Sequence, residues 1–221
     1  MRAASWILQQ LFPEKCILCG RLLEKDELDL CRNCRVDAPE CSVSGNRRNF
    51  LDSWLAVWYY EGDVRRSLVQ YKFYGRRSHA NGYGRLLAMK LQREHPEGID
   101  VLTWVPISKL RKFFRGYDQV ELLAYAVGRE LGMEPVPLLK KIRHNRPQSG
   151  IVGEAQRRAN VLGVYRVTDP ERVRGKRILL LDDIITTGAT ANEAARVLLT
   201  AGGEEVHFGA VAAVRHRTRN K

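Results

Sequence analysis

The sequence predicts an α/β domain with a mostly parallel sheet flanked by helices, preceded by a small cysteine-rich module. After residue 50, short apolar runs alternate with segments of helical spacing, as in sheets whose parallel strands are joined by helices. One run, ILLL at residues 178–181, suits a strand that is buried on both faces. All five cysteines lie before residue 42, so the composition changes sharply near residue 50. We therefore divide the chain into residues 1–49 and 50–221.

The predicted elements follow in chain order. A short amphipathic helix lies near the start, with a buried side made of Trp6, Ile7, Leu11 and Phe12, and SVSGNRRN at residues 42–49 is a polar linker. Strands are predicted at residues 53–60, 100–105, 161–167, 178–181 and 206–214. Helices are predicted at residues 64–71, 83–93, 119–131 and 191–201. Glycines at 132, 202 and 203 are natural helix stops.

The composition is that of an ordinary soluble protein with an excess of positive charge. The 221 residues are 44% hydrophobic and 28% charged, with a formal net charge of +12 and a pI near 9.8. This charge favours anionic partners, namely nucleic acid, polyphosphates or an anionic membrane surface. No apolar run approaches the ~18 residues of a membrane span, and we recognise no signal peptide. We therefore expect a cytoplasmic protein, whose cysteines do not form a disulfide framework.

Four of the cysteines have metal-ligand spacing. Cys16-x-x-Cys19 is followed, after eleven residues, by Cys31-x-x-Cys34. Two such knuckles bring four thiolates to tetrahedral reach, which is the usual structural zinc arrangement. The gap is shorter than the ~15–20 residues of the commonest pattern, and a redox CxxC is the weaker alternative. We predict a closed Zn²⁺ site that folds a segment too small to fold alone, with Cys41 as a non-ligating thiol.

The stretch ILLLDDIITTGAT at residues 178–190 predicts a ligand site. Asp182 and Asp183 fall at the carboxyl end of the strand, where open α/β sheets bind ligands. The loop after them supplies the hydroxyls of Thr186, Thr187 and Thr190, and Gly188 allows close approach of the backbone. A helix that starts near Thr190 directs its first N–H groups at this loop, which makes an anion pocket. Such a site suits a phosphate beside sugar hydroxyls or a metal ion, although an acid pair at this place can also be a simple helix entry.

These residues resemble the phosphoribosyl-pyrophosphate (PRPP) signature of type I phosphoribosyltransferases. The resemblance extends over nearly the whole chain to the ComF family, in which a zinc-binding head precedes a phosphoribosyltransferase domain. Besides the double CxxC, it rests on YKFYG at 71–75, VPISKLRKFFRGYDQ at 105–119, NRPQSG at 145–150 and RRAN at 157–160.

The resemblance implies a role for each matching position. Asp182 and Asp183 would hold the ribose 2- and 3-hydroxyls, directly or through Mg²⁺. The 5-phosphate would be wrapped by Thr186, Thr187, Gly188, Ala189 and Thr190. The pyrophosphate would lie along Ile107, Ser108 and Lys109, with Arg115 nearby, and residues 143–149 would close over the reacting centre. The implied reaction is Mg²⁺-dependent transfer of phosphoribose from PRPP to an unidentified acceptor.

The sequence departs from the family pattern in two places. Asp118 replaces the asparagine of the usual RGFNQ, which puts a negative charge near a polyphosphate site unless it pairs with Arg115 or faces outward. A third CxxCG is broken by Ser44, so a second metal site is not expected. Phosphoribosyltransferases for 6-oxopurines typically carry an aspartate directly before the Thr-Gly of this loop. The resemblance therefore disfavours a 6-oxopurine acceptor, because this sequence has Thr186 before Thr187-Gly188.

A second function stays open at this point. Basic and aromatic residues interleave at residues 65–77, as in surfaces that grip single-stranded nucleic acid by charge and stacking. The plainer interpretation is a solvated basic face over core aromatics. The family's link to natural competence gives the alternative of a non-catalytic single-stranded DNA-binding protein, with competence-machinery partners and with PRPP as regulator. The basic residues near 140–146 would serve pyrophosphate or would simply be exposed. The basic tail at 215–221 would be disordered or would contact a phosphate backbone.

Overall fold

The computed structural model describes residues 13–42, 45–94, 98–143, 156 and 160–215, with only the backbone at residues 45–48. The predicted amphipathic helix near the start, the NRPQSG motif, residues 157–159 of the RRAN motif and the tail after residue 215 lie outside the described residues. Within the described part, no helix is both long and apolar enough to cross a bilayer.

A five-stranded sheet forms the centre of the molecule. Its strands are β1 (Gly45–Arg48), β2 (Leu51–Tyr59), β3 (Val101–Trp104), β6 (Arg177–Ile185) and β7 (Glu205–Ala213). They are arranged in the order β1-β2-β7-β6-β3, and every pair is parallel except β1–β2. A separate antiparallel pair consists of β4 (Leu139–Lys141) and β5 (Tyr165–Val167). The predicted mostly parallel sheet is confirmed.

The described part of the chain contains six α-helices of more than one turn, of which the second, third and fifth pack on one face of the sheet and the sixth on the other. They are α1 (Arg32–Asp37), α2 (Gly62–Phe73), α3 (His79–Glu94), α4 (Lys109–Arg115), α5 (Gln119–Leu131) and α6 (Ala189–Thr200). Alternate residues of β6 point to opposite faces: Leu179 and Leu181 enter a core shared with α2, α3 and α5, whereas Ile178 and Leu180 enter a core shared with α6. Burial of β6 on both faces explains why its sequence is continuously apolar.

The structure corrects three sequence-based predictions and adds short elements that were not predicted. The predicted linker at 42–49 contains β1, whose backbone pairs with β2 although its sequence, GNRR, is polar. The strand predicted at 161–167 is only Tyr165–Val167, because the chain is still helical at Val161 and turns at Gly163. The short helix α4 and strand β4 were not predicted. Finally, β6 continues through both aspartates to Ile185, so the acids lie within the strand.

The cysteine-rich module packs against the larger domain. The Ser67 hydroxyl on α2 donates a hydrogen bond to the Ile17 carbonyl of the module. Arg85 on α3 forms a two-pronged ion pair with Asp29, and its Nε lies 2.7 Å from Asp29 Oδ2. Ile17 and its neighbours also join the core under α2 and α3. These contacts join the module to the side of the sheet that carries α2 and α3.

Candidate functional site

The two aspartates open into a cleft because β6 is longer than its neighbour β3. The register of the β3–β6 pair ends at Trp104 and Leu181, and the Val105 N–H still bonds the Leu181 carbonyl at 2.9 Å. Beyond this point the chain turns away at Pro106, so that within the described residues no strand pairs with the carboxyl end of β6 on the β3 side. The resulting cleft has a volume of about 780 Å³. Its charged lining residues are Lys72, Arg111, Arg115, Lys141, Asp182 and Asp183.

Asp183 is held by two side chains from other elements. The Lys72 ammonium, at the end of α2, lies 2.8 Å from its Oδ1. The Gln119 amide, at the start of α5, donates to its Oδ2 at 3.0 Å. With only 4% of Asp183 exposed, these contacts neutralise and fix a carboxylate that would otherwise be costly to bury.

Asp182 faces the cleft next to this arrangement. The Asp183 N–H donates to Asp182 Oδ1 at 2.8 Å. Burial, and then the neighbouring charge of Asp183, raise the pKa of Asp182 well above its usual value. A ligand that brings a cation or hydroxyl donors would favour the ionised carboxylate, so binding and deprotonation at Asp182 are linked.

The threonine-rich loop after β6 is divided between two cavities. Gly188 precedes the first residue of α6 and provides no side-chain cap. Its φ of +76° is in the left-handed region, which glycine adopts more easily than other residues. Thr186 and Thr190 line the cleft beside the aspartates. Thr187 and Ala189 line another cavity of about 410 Å³, and the Thr187 hydroxyl accepts from the Ala189 N–H at 3.4 Å. The cleft therefore reaches the first turn of α6 at Thr190, whereas Thr187 and Ala189 lie on the side of the loop that lines the other cavity.

The turn after Pro106 is partly engaged in contacts within the protein. Ile107 lines the cleft, but its N–H donates to Asp118 Oδ2 at 3.2 Å. Ser108 caps α4 by accepting from the Arg111 N–H at 3.3 Å, and Lys109 is exposed outside the cleft lining. The cationic residues that α4 does direct at the cleft are Arg111 and Arg115, which are four residues apart and share one helix face.

Asp118, the departure from the family pattern, has a structural role. Its Oδ1 accepts from the N–H groups of Val120 (2.9 Å) and Glu121 (3.2 Å), which caps α5. Its Oδ2 accepts from Ile107, so the residue also ties the turn after Pro106 to α5. Burial raises the pKa of Asp118, while these three backbone N–H groups act in the opposite direction. The acid therefore neither faces outward nor depends on Arg115.

Lys141 closes the cleft from the β4–β5 pair. Its ammonium lies 5.6 Å from the centre of the Tyr165 ring, on the neighbouring strand. Burial, and then the nearby Arg111 charge, lower the pKa of Lys141 to about 8. An anionic ligand in the cleft would reverse this effect and favour the charged ammonium.

Sequence reasoning did not place Lys72, Gln119 or Arg111 in the site, and it left Lys141 either at the pyrophosphate or simply exposed. A signal existed for the first two, because they belong to the YKFYG and RGYDQ motifs, which pack together in the structure. Tyr71 donates its hydroxyl to the Gln119 carbonyl, and Tyr117 donates to the Tyr71 carbonyl. For Arg111, the four-residue spacing from Arg115 was the available signal.

The four cysteine thiols come together as the sequence predicts. The sulfur atoms of Cys16, Cys19, Cys31 and Cys34 all lie within 4.8 Å of one another. This fits a tetrahedral ion, since Zn–S bonds of ~2.3 Å place sulfur atoms roughly 4 Å apart. Burial by itself would raise the pKa of Cys31. Hydrogen bonding from the Cys34 N–H and from neighbouring thiols outweighs burial and lowers this pKa to about 7. Cys41 is fully buried in the core on the α6 side, outside this cluster.

Comparison with known proteins agrees with this architecture. Residues 121–221 match the family model described as a phosphoribosyl transferase domain. Among curated proteins, the chain is 24% identical to competence protein F of Haemophilus influenzae, over 93% of this chain and 99% of that one. It is 29% identical to competence protein ComFC of Bacillus subtilis, over 88% and 75%. It is 26% identical to the DNA utilization protein YhgH of Escherichia coli, over 86% of each.

Solved structures include a similar chain of low identity. A Bacillus subtilis glutamine PRPP amidotransferase aligns at 24% identity and a TM-score of 0.43, over 64% of this chain and 30% of that chain. The sheet, the acid pair and the matched domain together define a type I phosphoribosyltransferase-like protein. Its cysteine module and its alignment to these competence proteins over most of its length agree with the resemblance to the ComF family.

Proposed function

We propose that the protein binds PRPP with Mg²⁺ in the cleft and transfers its phosphoribosyl group to an acceptor. The observation that carries this proposal is the meeting of an acid pair, a threonine-glycine loop at a helix start and four cationic side chains in one cleft. The four cations outnumber the two aspartates, so the cleft suits a polyanion. Its acids suit sugar hydroxyls and a divalent ion, for which carboxylate oxygens are preferred ligands.

The proposed orientation of PRPP follows from these groups. Asp182, with Asp183 behind it, faces the ribose 2- and 3-hydroxyls and would hold the Mg²⁺. Residues 186–190 surround the 5-phosphate with the hydroxyls of Thr186 and Thr190 and the first N–H groups of α6. The pyrophosphate lies towards Ile107, Arg111 and Arg115. Ser108 and Lys109 would contribute indirectly, by shaping the turn that positions these residues.

The cleft would accelerate the reaction mainly by electrostatic means. Departure of pyrophosphate from C1 leaves positive character on the sugar and adds negative charge to the leaving group. Arg111, Arg115 and Lys141 are placed to stabilise that negative charge. Bound Mg²⁺ would add its own charge to this stabilisation. Residues 143–149, which the family resemblance assigns to a closing loop, would exclude water from the reacting carbon.

The cysteine cluster is proposed to bind a structural Zn²⁺. All four thiols are used and three of them are buried, so the site has the closed ligand set of structural rather than catalytic zinc. The metal would hold the module, residues 1–49 by our division, in the shape that docks on α2 and α3.

The transfer reaction can be tested by release of pyrophosphate from PRPP in the presence of Mg²⁺ and a panel of nucleobases, nucleotides and small amines. We expect at least one acceptor to give release with wild-type protein, and Asp182→Asn to reduce it by 100-fold or more, as is usual when a transition-state contact is lost. Release that is equal in the two proteins would contradict the assigned site. PRPP binding without release under every condition would leave a PRPP-binding protein and remove the enzyme proposal.

A second candidate function is favoured by the surface near the cleft. Phe73 and Tyr74 are 62% and 73% exposed, next to Arg65, Arg76 and Arg77. Together with the names of the relatives, this supports a role in handling single-stranded DNA during natural competence, in the cytoplasm and beside competence-machinery proteins, with PRPP as regulator. Single-strand affinity that falls steeply between 50 and 200 mM salt would support this function, and affinity independent of salt would contradict it.

A further inference from the structure

The cleft has two chemically different walls. One wall carries the aspartates, the threonines and the cations that the proposed function assigns to PRPP. The other is aromatic and is formed by Tyr60, Phe73, Phe114 and Tyr117. These aromatic residues line the same cleft as the groups assigned to PRPP, and none of them is itself assigned to the phosphates or the ribose.

Two residues of the aromatic wall are open to solvent. Phe73 is 62% exposed and Phe114 is 78% exposed, although both line the cleft. The Arg115 guanidinium stacks 4.7 Å from the centre of the Phe73 ring and so joins α4 to the end of α2 at the cleft mouth. Exposed phenylalanines are costly to keep in water, and rings held in this way are typical platforms for a planar ligand.

The mouth of the cleft continues into a basic groove. Gly75 lines both, and the groove, of about 770 Å³, lies along α2 with Arg65, Tyr74 and Arg76 in its wall. No acidic residue is among those that line it. Within the described part of the chain, Arg65 and Arg76 make no ion pair, whereas the third arginine, Arg66, pairs with Asp63. The groove therefore offers positive charge close to the aromatic wall.

We infer that the acceptor is a nucleobase that already carries phosphate, stacked on Phe73 and Phe114 with its phosphate in the groove. This inference rests on the proposed function, because it places the base opposite PRPP. A free base would leave the basic groove unused, and the open mouth does not enclose the ligand. A mononucleotide and a base within a single strand both combine a base with a phosphate, and the experiment below distinguishes these two ligands.

The implied step is balanced without a further reagent. A nitrogen of the stacked base attacks C1 of the ribose, and the bond from C1 to the pyrophosphate oxygen breaks. The nitrogen loses its proton to solvent or to the departing pyrophosphate. The products are a phosphoribosylated base and pyrophosphate, and no oxidation or reduction occurs.

Stacking can be measured directly with 2-aminopurine, whose fluorescence is quenched when it stacks. The probes are 2-aminopurine ribonucleoside monophosphate, the free base, and a short oligonucleotide with one 2-aminopurine, each added to protein saturated with PRPP and Mg²⁺. We expect saturable quenching with the two phosphate-bearing probes and at least tenfold weaker binding of the free base. Phe73→Leu and Phe114→Leu should each weaken binding about tenfold. The affinities of the oligonucleotide and of the monophosphate then show which of these two ligands is preferred.

The chain offers matched controls for each wall. Phe113 is 80% exposed on the same short helix and does not line the cleft, but its ring contacts the edge of Phe114 at 5.8 Å between centroids, so Phe113→Leu should weaken quenching much less than Phe114→Leu. Arg76→Gln should weaken the phosphate-bearing probes and spare the free base, whereas the exposed and remote Arg172→Gln should affect neither. Calorimetric PRPP binding should be unaltered in Phe113→Leu, Arg76→Gln and Arg172→Gln. It is also measured for Phe73→Leu and Phe114→Leu, so that any effect on PRPP through Arg115 is separated from the effect on stacking.

Two results would overturn the inference while leaving PRPP binding intact. One is equal quenching in Phe73→Leu, Phe114→Leu and Phe113→Leu. The other is absence of quenching with all three probes in wild-type protein that binds PRPP. Failure of wild-type protein to bind PRPP would instead remove the proposed function, and the calorimetric measurement identifies that case.

Discussion

At the residue scale, the site depends on contacts that hold buried and half-buried charged groups in place. Asp183 is fixed by Lys72 and Gln119, whereas Asp182 lines the cleft beside it. Both acids were expected from sequence because two aspartates next to a buried strand and a threonine-glycine loop are a strong local pattern. Their separate environments were not, because Lys72 is more than a hundred residues away from Asp183 in sequence and meets it only through the packing of α2.

A first prediction concerns Asp118. Its two carboxylate oxygens accept from backbone N–H groups on both α5 and the turn after Pro106. Asp118→Ala removes all of these bonds and should lower the free energy of unfolding by about 1–2 kcal/mol. Asp118→Asn keeps one oxygen for capping and should fall between wild type and Asp118→Ala in urea denaturation. An asparagine variant as unstable as the alanine variant would contradict this account.

A second prediction concerns pH and Lys141. Burial and Arg111 lower its pKa to about 8 in the free protein, and a bound polyanion would raise it again. Below pH 8 the ammonium is already charged, so PRPP affinity should not change through this group. Above pH 8 binding must take up a proton, and affinity should fall by up to about tenfold per pH unit until the pKa of the complex is reached.

Calorimetry in two buffers of different ionisation enthalpy measures this proton uptake. Lys141→Met should abolish the dependence above pH 8. Lys140→Met, at the exposed neighbouring position, should retain it. Identical pH profiles for the two variants would argue against a role of Lys141 in the cleft.

At the element scale, the sheet and its long helices were predictable, whereas the short elements were not. The predicted helix at residues 119–131 matches α5, because its apolar spacing and Gly132 mark its face and its end. By contrast, α4 has no buried residue, so KLRKFFR shows no amphipathic pattern to detect. Likewise β1 consists of glycine, asparagine and arginines. It forms by backbone pairing with β2, which no side-chain pattern in the sequence indicates.

A third prediction concerns the contact of α3 with α5. A Cβ added at Gly84 would lie 2.4 Å from Ala126 Cβ and 2.8 Å from the Ala126 carbonyl carbon. The helices approach too closely for any side chain, so Gly84→Ala should destabilise the protein by about 1–3 kcal/mol, despite the better helix propensity of alanine. Met89→Ala, at a position 59% exposed on the same helix, should be nearly neutral. Thermal unfolding measures both, and a more stable Gly84→Ala would show that the helices can separate.

At the scale of the whole molecule, the cysteine module and the larger domain share a core. Cys16 and Ile17 belong to the same buried cluster as Tyr83 and Leu87 on α3. The sequence predicted the four-cysteine cluster, because paired CxxC spacing is a local signal that survives without tertiary information. It did not predict the docking surface, which depends on single contacts such as Ser67 to Ile17 and Arg85 to Asp29.

A fourth prediction therefore concerns removal of the metal. Because metal binding and folding of such modules are coupled, Cys31→Ser should lose bound zinc and lower the melting temperature by about 5 °C or more. Cys41→Ala, in the other core, should keep one zinc per chain even if its cavity costs some stability. Metal analysis beside calorimetry distinguishes the two variants. Full zinc content in Cys31→Ser would contradict the assigned ligand set.

The central claim is that the cleft at the end of β6 binds PRPP, and titration calorimetry with Mg²⁺ tests it most directly. Wild-type protein should bind PRPP, Asp182→Asn should bind at least tenfold more weakly, and Asp169→Asn, which alters an acid remote from the cleft lining, should match wild type. Equal affinity in wild type and Asp182→Asn, or no binding by wild type, would contradict the claim.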